Sequence, residues 1–336
     1  MIRFPIGKLS LGIAGALVSV SLAQAADYTF TFAHVLTEQT PNARAAVKFK
    51  EEVEKNSNGR IEINVRPAAQ LGGDVEIIEQ TQMGLVHIAI PPTGNLANFE
   101  PKMFLFDLPY LIKGEQSMKQ LLDGEVGREL LGTLEKSNLH GVNYWGAGFR
   151  NITNNIREIN QPDDLKNIKM RTLQAPTILA TYRAWGANPT AMAYTEVYNG
   201  LQQGVVEGQE NPLANIDSMK FYEVQKYLSI TNHVYSPWIV TASKKWWDGL
   251  SADERDVLLK AAAVSRDFER KDTRAEADKA LAQLKADGMQ VNTVSPEAVQ
   301  KMRETIAPVN AQIEKSVGPD LWNAVQTQLK DIRKKS

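Results

Sequence analysis

Residues 28–65 read YTFTFAHVLTEQTPNARAAVKFKEEVEKNSNGRIEINV, and three structural elements follow one another along this segment. Residues 28–33 alternate aromatic side chains with threonine, a pattern typical of a β-strand. Thr40 followed by Pro41 predicts a helix start, because Thr caps free N–H groups and Pro suits the first helical turn. A second alternating run at 61–65 predicts another strand. The segment is therefore a strand, a helix and a strand.

The alternation of strands and helices continues beyond this segment. A helix is predicted after the loop 67–73, and the run at 86–90 predicts a third strand. A second unit of the same kind begins near residue 150, with a strand at 169–172 and a helix at 176–185. Strands that alternate with helices of this length predict an α/β fold built on a parallel sheet.

Three later segments are expected to join the two units. Residues 234–242 form an extended run that carries the chain back to the first domain. Residues 253–288 predict one long helix or a kinked pair, around 50 Å at 1.5 Å per residue, which is long enough to cross both domains. A last helix at 319–334 closes the chain. Two compact domains joined by several crossings are the layout of a hinged binding protein.

The domain boundaries follow from these crossings. We place the first domain at residues 26–147 plus 237–276, and the second at residues 148–236 plus 277–336. Neither an internal repeat nor a long linker interrupts this division.

The first 25 residues have the layout of a secretory signal peptide. Arg3 and Lys8 precede an apolar stretch at 9–22, and Ala23-Gln24-Ala25 forms a signal-peptidase site. The apolar stretch is shorter than the roughly 20 residues that span a bilayer. We therefore expect cleavage after Ala25 and export to the periplasm.

Composition excludes several classes of function. No second apolar run of spanning length follows, which predicts a soluble mature protein. Without Arg3 and Lys8, 36 Lys and Arg residues face 39 Asp and Glu residues, a net charge of −3, which argues against nucleic acid as a partner. The chain has no cysteine, so disulfides, thiolate catalysis and cysteine-based metal sites are excluded.

Motifs for catalysis and cofactors are also missing from the sequence. The four histidines show no spacing typical of a metal site or a catalytic triad, and neither a nucleophile elbow nor a Gly-rich phosphate loop is present. We therefore expect a protein that is not an enzyme and that needs neither a cofactor nor a metal. His34 stands where the first strand ends, so it is a candidate pocket residue as well as a candidate core residue.

Arg171 is the most informative single residue. It lies in an apolar-flanked strand, where a guanidinium needs a partner, and its planar fork matches a carboxylate in two parallel bonds. The partner could be a ligand carboxylate or an internal acid such as Glu196, and the sequence leaves both possibilities open.

Four stretches around Arg171 carry a family resemblance: GAGFRNITN at 146–154, LKNIKMR at 165–171, WGANPTAMAYTEVY at 185–198 and LQQGVVEGQENP at 201–212. They closely resemble the periplasmic binding subunits of tripartite ATP-independent periplasmic (TRAP) transporters, the DctP-type family. The resemblance covers essentially the whole mature chain. The ordered spacing of Arg171, Glu196 and Asn211 makes it specific.

The resemblance implies a fold, a site and partners. It implies a two-domain venus-flytrap fold with a long helix that spans both domains. It also implies that Arg171 forms a bidentate salt bridge to the ligand carboxylate, that Asn211 contacts the same carboxylate, and that Glu196 helps hold the arginine. The expected partners are a small organic acid and the small and large membrane subunits of the transporter, and the chain is expected to be a monomer.

The ligand class is narrowed by departures from other family members. Sialic-acid binders carry an acidic residue and an arginine where this chain has Pro92 and Asn95, and 2-oxo-acid binders carry Glu-Trp where it has Glu210-Asn211. Arg150 matches a second arginine that some members use for an acidic ligand. A C4-dicarboxylate is therefore favoured, with a sugar acid such as a hexuronate as the alternative.

Further candidates for the pocket are Asn95 and the aromatic residues Tyr194, Phe149 and Trp238, although each aromatic side chain could equally belong to the core. Two other kinds of function stay open. One is a hydrolase or lyase that uses Glu196 and Glu210 as paired carboxylates. The other is a ligand sensor that serves a membrane receptor.

Overall fold

The computed structural model describes residues 26–335, and the predicted signal peptide lies outside the described residues. The strands are β1 (Tyr28–Ala33), β2 (Ile61–Arg66), β3 (Ile88–Ala89), β4 (Leu139–Asn154), β5 (Lys169–Thr172), β6 (Asn188–Ala191), β7 (Gly208–Pro212), β8 (Tyr227–Ser243) and β9 (Gln290–Thr293).

The helices alternate with these strands and then gather towards the end of the chain. They are α1 (Pro41–Asn56), α2 (Asp74–Met83), α3 (Thr93–Leu96), α4 (Glu115–Leu122), α5 (Glu125–Thr133), α6 (Pro176–Ala184), α7 (Val197–Gln202), α8 (Leu213–Ser218), α9 (Lys244–Gly249), α10 (Ala252–Ala286), α11 (Pro296–Thr305), α12 (Ala307–Val317) and α13 (Pro319–Lys335). Short 3-10 turns occupy Pro101–Asp107, Leu134–Ser137, Pro162–Leu165, Tyr194–Glu196 and Phe221–Glu223.

Helix α1 begins where the sequence predicts. The Thr40 side chain accepts a hydrogen bond from the Ala43 backbone N–H at 3.3 Å, and Pro41 occupies the first turn. The helix ends before Asn58 and Gly59, which both adopt positive φ and turn the chain into β2. Local capping chemistry thus sets both ends of this helix.

The strands form one mixed sheet in the order β2-β1-β3-β8-β4-β7-β5-β6, with β9 paired to β8. Strands β1, β2 and β3 are parallel, and β5 is parallel to both β6 and β7. The predicted parallel sheet is therefore mixed, because the two long strands β4 and β8 run antiparallel to each other, β8 runs antiparallel to β3, and β4 runs antiparallel to β7. Strand β9 runs parallel to β8. These two strands connect the first half of the sheet to the second.

Both faces of the sheet are covered by buried apolar side chains. Tyr144 and Ile239 belong to one cluster, whereas the adjacent Trp145 and Trp238 belong to the other. Consecutive strand residues point to opposite faces, so the two clusters lie on the two sides of the sheet. Each cluster draws on both halves of the chain, so the domain boundaries stay a prediction.

Helix α10 is a single helix of 35 residues, as one of the two alternatives predicts. Its start is fixed by a capping box between Ser251 and Glu254. It packs against α1, β4 and α8, and so contacts elements from both halves of the sheet. Within residues 26–335, none of the helices combines the length and the apolar character that a membrane span requires.

Candidate functional site

The candidate site lies where loops from the two halves of the sheet meet. A side chain built at Gly73, before α2, would contact the Ala193 side chain at 3.8 Å, and one at Gly94 would contact Ala175 at 3.6 Å. The Asn98 Nδ2 atom donates to the Gln174 carbonyl at 2.6 Å. The ends of strands are the usual ligand position in α/β sheets, and here the two sides are closed against each other.

Arg171 is held in this region by a backbone carbonyl. Its side chain is 1 % exposed, and Nε and Nη2 both donate to the Met192 oxygen, at 3.0 and 2.7 Å. Its Nη1 atom is buried without a hydrogen-bond partner among the described residues. Burial lowers the pKa of Arg171 to about 10, so the guanidinium stays charged at neutral pH. A buried cation with one unpaired hydrogen-bond donor indicates a binding position for an anionic acceptor.

Arg150 is engaged within the protein. It is buried on β4 and pairs with Glu210 on β7 through Nε and through Nη2, the latter at 2.9 Å from Oε1. Nη2 also lies 2.7 Å from the Glu210 carbonyl oxygen, and Nη1 donates to Ser236 Oγ at 3.2 Å. The expectation that Arg150 offers a second free cation therefore needs correction, because Glu210 already neutralises it. Its role as a ligand residue stays a prediction.

Glu210 is ionised in this pair. Burial opposes its charge, but Arg150 and the imidazole of His233, 3.4 Å away, lower the pKa of Glu210 to about 2. The sequence alone could not indicate this partner, because Glu210 and Arg150 meet only through the pairing of β4 with β7.

Asn211 belongs to the same network. Its Oδ1 accepts from Arg150 Nη2 at 3.3 Å, and its Nδ2 donates to Gln209 Oε1 at 2.5 Å. The predicted contact of Asn211 with a ligand is compatible with this position and stays a prediction.

Tyr194 lies within the electrostatic reach of the two arginines. Its ring is buried, its hydroxyl is 3.5 Å from the Asn215 carbonyl, and burial raises its pKa while Arg171 and Arg150 act against this rise. Tyr194, a predicted site residue, is thus buried within the electrostatic influence of Arg171.

Asp74 is a candidate site residue that sequence reasoning missed. It is the first residue of α2 and is 7 % exposed. The charges of both Arg171 and Arg150 influence the pKa of its carboxyl. Burial raises the pKa of Asp74 to about 7, although the arginines oppose the rise. Among residues 26–335 no side-chain hydrogen bond is described for its carboxyl. The signal for it was Gly72-Gly73-Asp74 after a strand, a position where α/β sheets bind ligands.

Glu196 does not hold Arg171 in this structure. It is exposed, and the described hydrogen bonds and ion pairs do not join it to the arginine. The turn at Tyr194–Glu196 buries Tyr194 and leaves Glu196 in solvent, so the Met192 carbonyl takes the expected role. Glu210 is buried whereas Glu196 is exposed, and the described hydrogen bonds and ion pairs do not join the two carboxylates.

Asn95 and Trp238 are both buried near the isolated bridge that joins Pro92 to Trp238. Asn95 Oδ1 and Trp238 Nε1 lack hydrogen-bond partners within the described part of the chain. Phe149 packs edge-on against Tyr235, with ring centroids 5.2 Å apart, which favours a structural role for Phe149.

His34 lies at a cavity whose lining does not include Arg171. It is buried, and burial lowers its pKa to about 4, although a backbone hydrogen bond with Leu36 acts against this change. It lines a cavity of about 570 Å³ together with Arg44, Arg66 and Gln70. The described interactions do not connect it to Arg171. Residues 26–335 also contain no group of three His, Asp or Glu side chains that could hold a metal ion.

Comparisons with known proteins identify the family of the chain. The family model of the bacterial extracellular solute-binding protein, family 7 (DctP), matches residues 32–316. The C4-dicarboxylate-binding periplasmic protein DctP of Rhodobacter capsulatus is 35% identical over 331 residues, which cover 95% of this chain and 98% of that protein. The 2,3-diketo-L-gulonate-binding periplasmic protein YiaO of Escherichia coli is 32% identical, over 84% of this chain and 86% of that protein.

Solved structures show the same fold. The sugar acid binding protein DctPAm of Advenella mimigardefordensis, in complex with galactonate, is 38% identical with a TM-score of 0.89, and the match covers 92% of this chain and 100% of that one. A TRAP periplasmic solute binding protein of Sulfurospirillum deleyianum with bound succinate is 33% identical with a TM-score of 0.85, over 90% of this chain and 99% of that one. The chain therefore belongs to bacterial extracellular solute-binding protein family 7, the DctP-type binding proteins of TRAP transporters.

Proposed function

We propose that this protein captures a small organic acid outside the cytoplasm and hands it to TRAP membrane subunits, without catalysing a reaction. The observation that carries the proposal is the buried Arg171 guanidinium, whose Nη1 has no partner within residues 26–335 and whose charge no direct ion pair compensates. A ligand carboxylate supplies both the acceptor and the opposite charge.

The geometry at Arg171 suits a carboxylate at the free edge of the guanidinium. The Met192 carbonyl occupies the Nε and Nη2 side and fixes the plane of the group. The edge that joins Nη1 to Nη2 is left for two parallel hydrogen bonds to a carboxylate. Preorganising the fork in this way lowers the entropy lost when the ligand binds.

The charges around Arg171 favour a ligand with a single carboxylate and several hydroxyls. Arg150 is already neutralised by Glu210, and the Asp74 carboxyl is buried within the electrostatic influence of both arginines. A second ligand carboxylate would meet this acid, whereas hydroxyl groups could hydrogen-bond to it and to Asn95 Oδ1. A sugar acid fits this distribution, and the similar DctPAm is described in complex with galactonate.

A C4-dicarboxylate is the second candidate, and it is the ligand that the sequence favours. Its support is the similarity to the C4-dicarboxylate-binding DctP of Rhodobacter capsulatus over 98% of that protein's length. Near neutral pH the Asp74 carboxyl is in part protonated, and a protonated carboxyl could donate to a second ligand carboxylate.

A thermal-shift screen with galactonate, galacturonate, succinate, malate and neutral galactose tests the proposal. A bound acid at 100 times its Kd adds about 2.7 kcal/mol of stability, so one or more acids should raise the melting temperature. Stabilisation by galactose alone would contradict the proposal, because a neutral sugar leaves the Arg171 charge uncompensated.

A further inference from the structure

Strand β4 is irregular where it passes from the first half of the sheet to the second. The β4–β8 register shifts between Gly146 and Phe149, and Gly148 lies between them with a φ of +87°. A side chain at Gly146 would collide with the Tyr235 hydroxyl. The backbone at this crossing is therefore bent, and the residues that contact it determine how it can move.

Glu269, on α10, forms a hydrogen bond to strand β4 at this crossing. It is fully buried, its Oε2 accepts the Gly146 backbone N–H at 2.9 Å, and its Oε1 accepts the Thr273 hydroxyl at 2.6 Å. The charged and titratable groups that face it are Arg270, Asp272 and the Tyr235 phenol, and no ion pair of Glu269 is described within residues 26–335. Burying a carboxyl without an ion-pair partner costs folding free energy, which suggests that Glu269 has a role beyond packing.

The helix around Glu269 is tied to the first half of the chain. Arg270 forms two hydrogen bonds to the Asp123 carboxylate, at 2.7 and 2.8 Å, and donates to the Tyr144 carbonyl at 3.2 Å. Arg274 pairs with Glu115 at 2.8 Å. Arg44 on α1 pairs with α10 as well, at 2.7 Å from Asp272.

All of these partners precede residue 148, where the predicted second domain begins. Glu269 is thus carried by a helix segment fixed to the first half, and it holds the last backbone N–H before the bend. Movement of the predicted second domain relative to the first would rotate β4 just after this hydrogen bond.

We propose that Glu269 is a positioning residue for ligand capture: its hydrogen bond to Gly146 sets the β4 bend about which the two halves close over the ligand. The proposal rests on the proposed function, because it assigns the residue a part in closure. Glu269 does not contact the ligand in this proposal. It acts through the geometry of β4 and through Arg150, which lies on β4.

Two nitroxide labels measure the closure directly. The chain has no cysteine, so Val47→Cys on α1 and Val205→Cys, exposed by 48% and 54%, provide unique attachment sites in the two predicted domains. Distance distributions between the labels, with and without saturating galactonate, are compared for wild type, Glu269→Gln, Glu269→Ala and the control Asp278→Ala, at an exposed position of the same helix. Calorimetry gives the affinity of each protein for galactonate.

We expect Glu269→Ala to broaden the distance distribution, to leave part of the population open with galactonate, and to weaken affinity about ten-fold, within the usual range of coupling between a site and a conformational equilibrium. Glu269→Gln keeps an acceptor for the Gly146 N–H and should behave like wild type, as should Asp278→Ala. If Glu269→Ala does not fold, Glu269→Asp takes its place, because it withdraws the carboxylate from Gly146.

Wild-type distances and affinity in Glu269→Ala would overturn the proposal, and so would a Glu269→Gln protein that is as impaired as Glu269→Ala. A wild-type protein that does not respond to any organic acid would contradict the proposed function instead. In that case the ligand-free distributions still test Glu269, since the alanine variant alone should broaden them.

Discussion

The Met192 carbonyl accepts hydrogen bonds from two nitrogens of Arg171, and this pairing turns the remaining nitrogen, Nη1, towards a place with no protein partner in the described chain. The arginine is thereby fixed in orientation while its charge stays uncompensated. This differs from the neighbouring Arg150, whose guanidinium is saturated by Glu210, Ser236 and Asn211.

The Arg150–Glu210 pair should contribute more to the stability of the fold than to ligand specificity. Arg150→Ala leaves a buried carboxylate without its partner and should destabilise the protein by roughly 3–5 kcal/mol. Denaturant unfolding of Arg150→Ala, Glu210→Gln and the double variant measures this effect. The double variant should lose less than the two single variants combined, and strictly additive losses would show that the pair is not coupled.

Asp74 should discriminate between the two ligand classes. Raising the pH through about 7 ionises its carboxyl, so succinate should bind more weakly at pH 8 than at pH 6, whereas galactonate should keep or gain affinity. Asp74→Asn should remove this pH dependence and improve succinate relative to galactonate. Calorimetry at the two pH values checks both expectations, and identical pH profiles for the two acids would place Asp74 away from the ligand.

Asp107 makes the stability depend on pH. It is buried and accepts the Thr177 hydroxyl, and burial raises its pKa from 3.8 to about 7. Between these two values the folded protein binds more protons than the unfolded chain, so this group makes the free energy of unfolding fall as the pH rises.

Asp107→Asn should therefore gain stability relative to wild type as the pH rises from 5 to 8, by roughly 3 kcal/mol, because about two pH units of this window lie below the folded pKa. Unfolding curves for the two proteins across this range provide the measurement. A constant difference between them would mean that Asp107 does not titrate in this window.

The sequence predicts the elements that local chemistry determines. The capped start of α1, the strand at Tyr28–Ala33, the long α10 and the final α13 all follow from side-chain periodicity and caps. Strand β4 was not predicted, because Gly146 and Gly148 interrupt its alternation at the bend.

Site residues that lie in a family motif could be predicted from the sequence. Site residues that are brought together only by the tertiary structure could not. Arg171 can be recognised in the sequence as a buried arginine. Its partner Met192 cannot, because any residue type supplies a backbone carbonyl. The neutralisation of Arg150 by Glu210 depends on the β4–β7 pairing, which joins residues 60 positions apart. Asp74 carries no motif in the sequence, and its burial beside the arginines is set by the position of α2 in the fold.

Ligand binding should close the two predicted domains. Contacts such as Asn98 with Gln174 join loops of the two halves, so the structure corresponds to a closed arrangement that a ligand would favour. Small-angle scattering should show a smaller radius of gyration with saturating galactonate than without it. An unchanged profile despite calorimetric binding would indicate a rigid site.

The decisive measurement is the calorimetric affinity of Arg171→Lys for the best organic acid of the screen, with the exposed Arg183→Lys as its control. Lysine keeps the charge but loses the planar fork, so Arg171→Lys should lose roughly 2–5 kcal/mol of binding, tens to thousands of fold, while melting cooperatively. Arg183→Lys should bind like wild type. Wild-type affinity in Arg171→Lys would contradict the assignment of Arg171 as the carboxylate anchor.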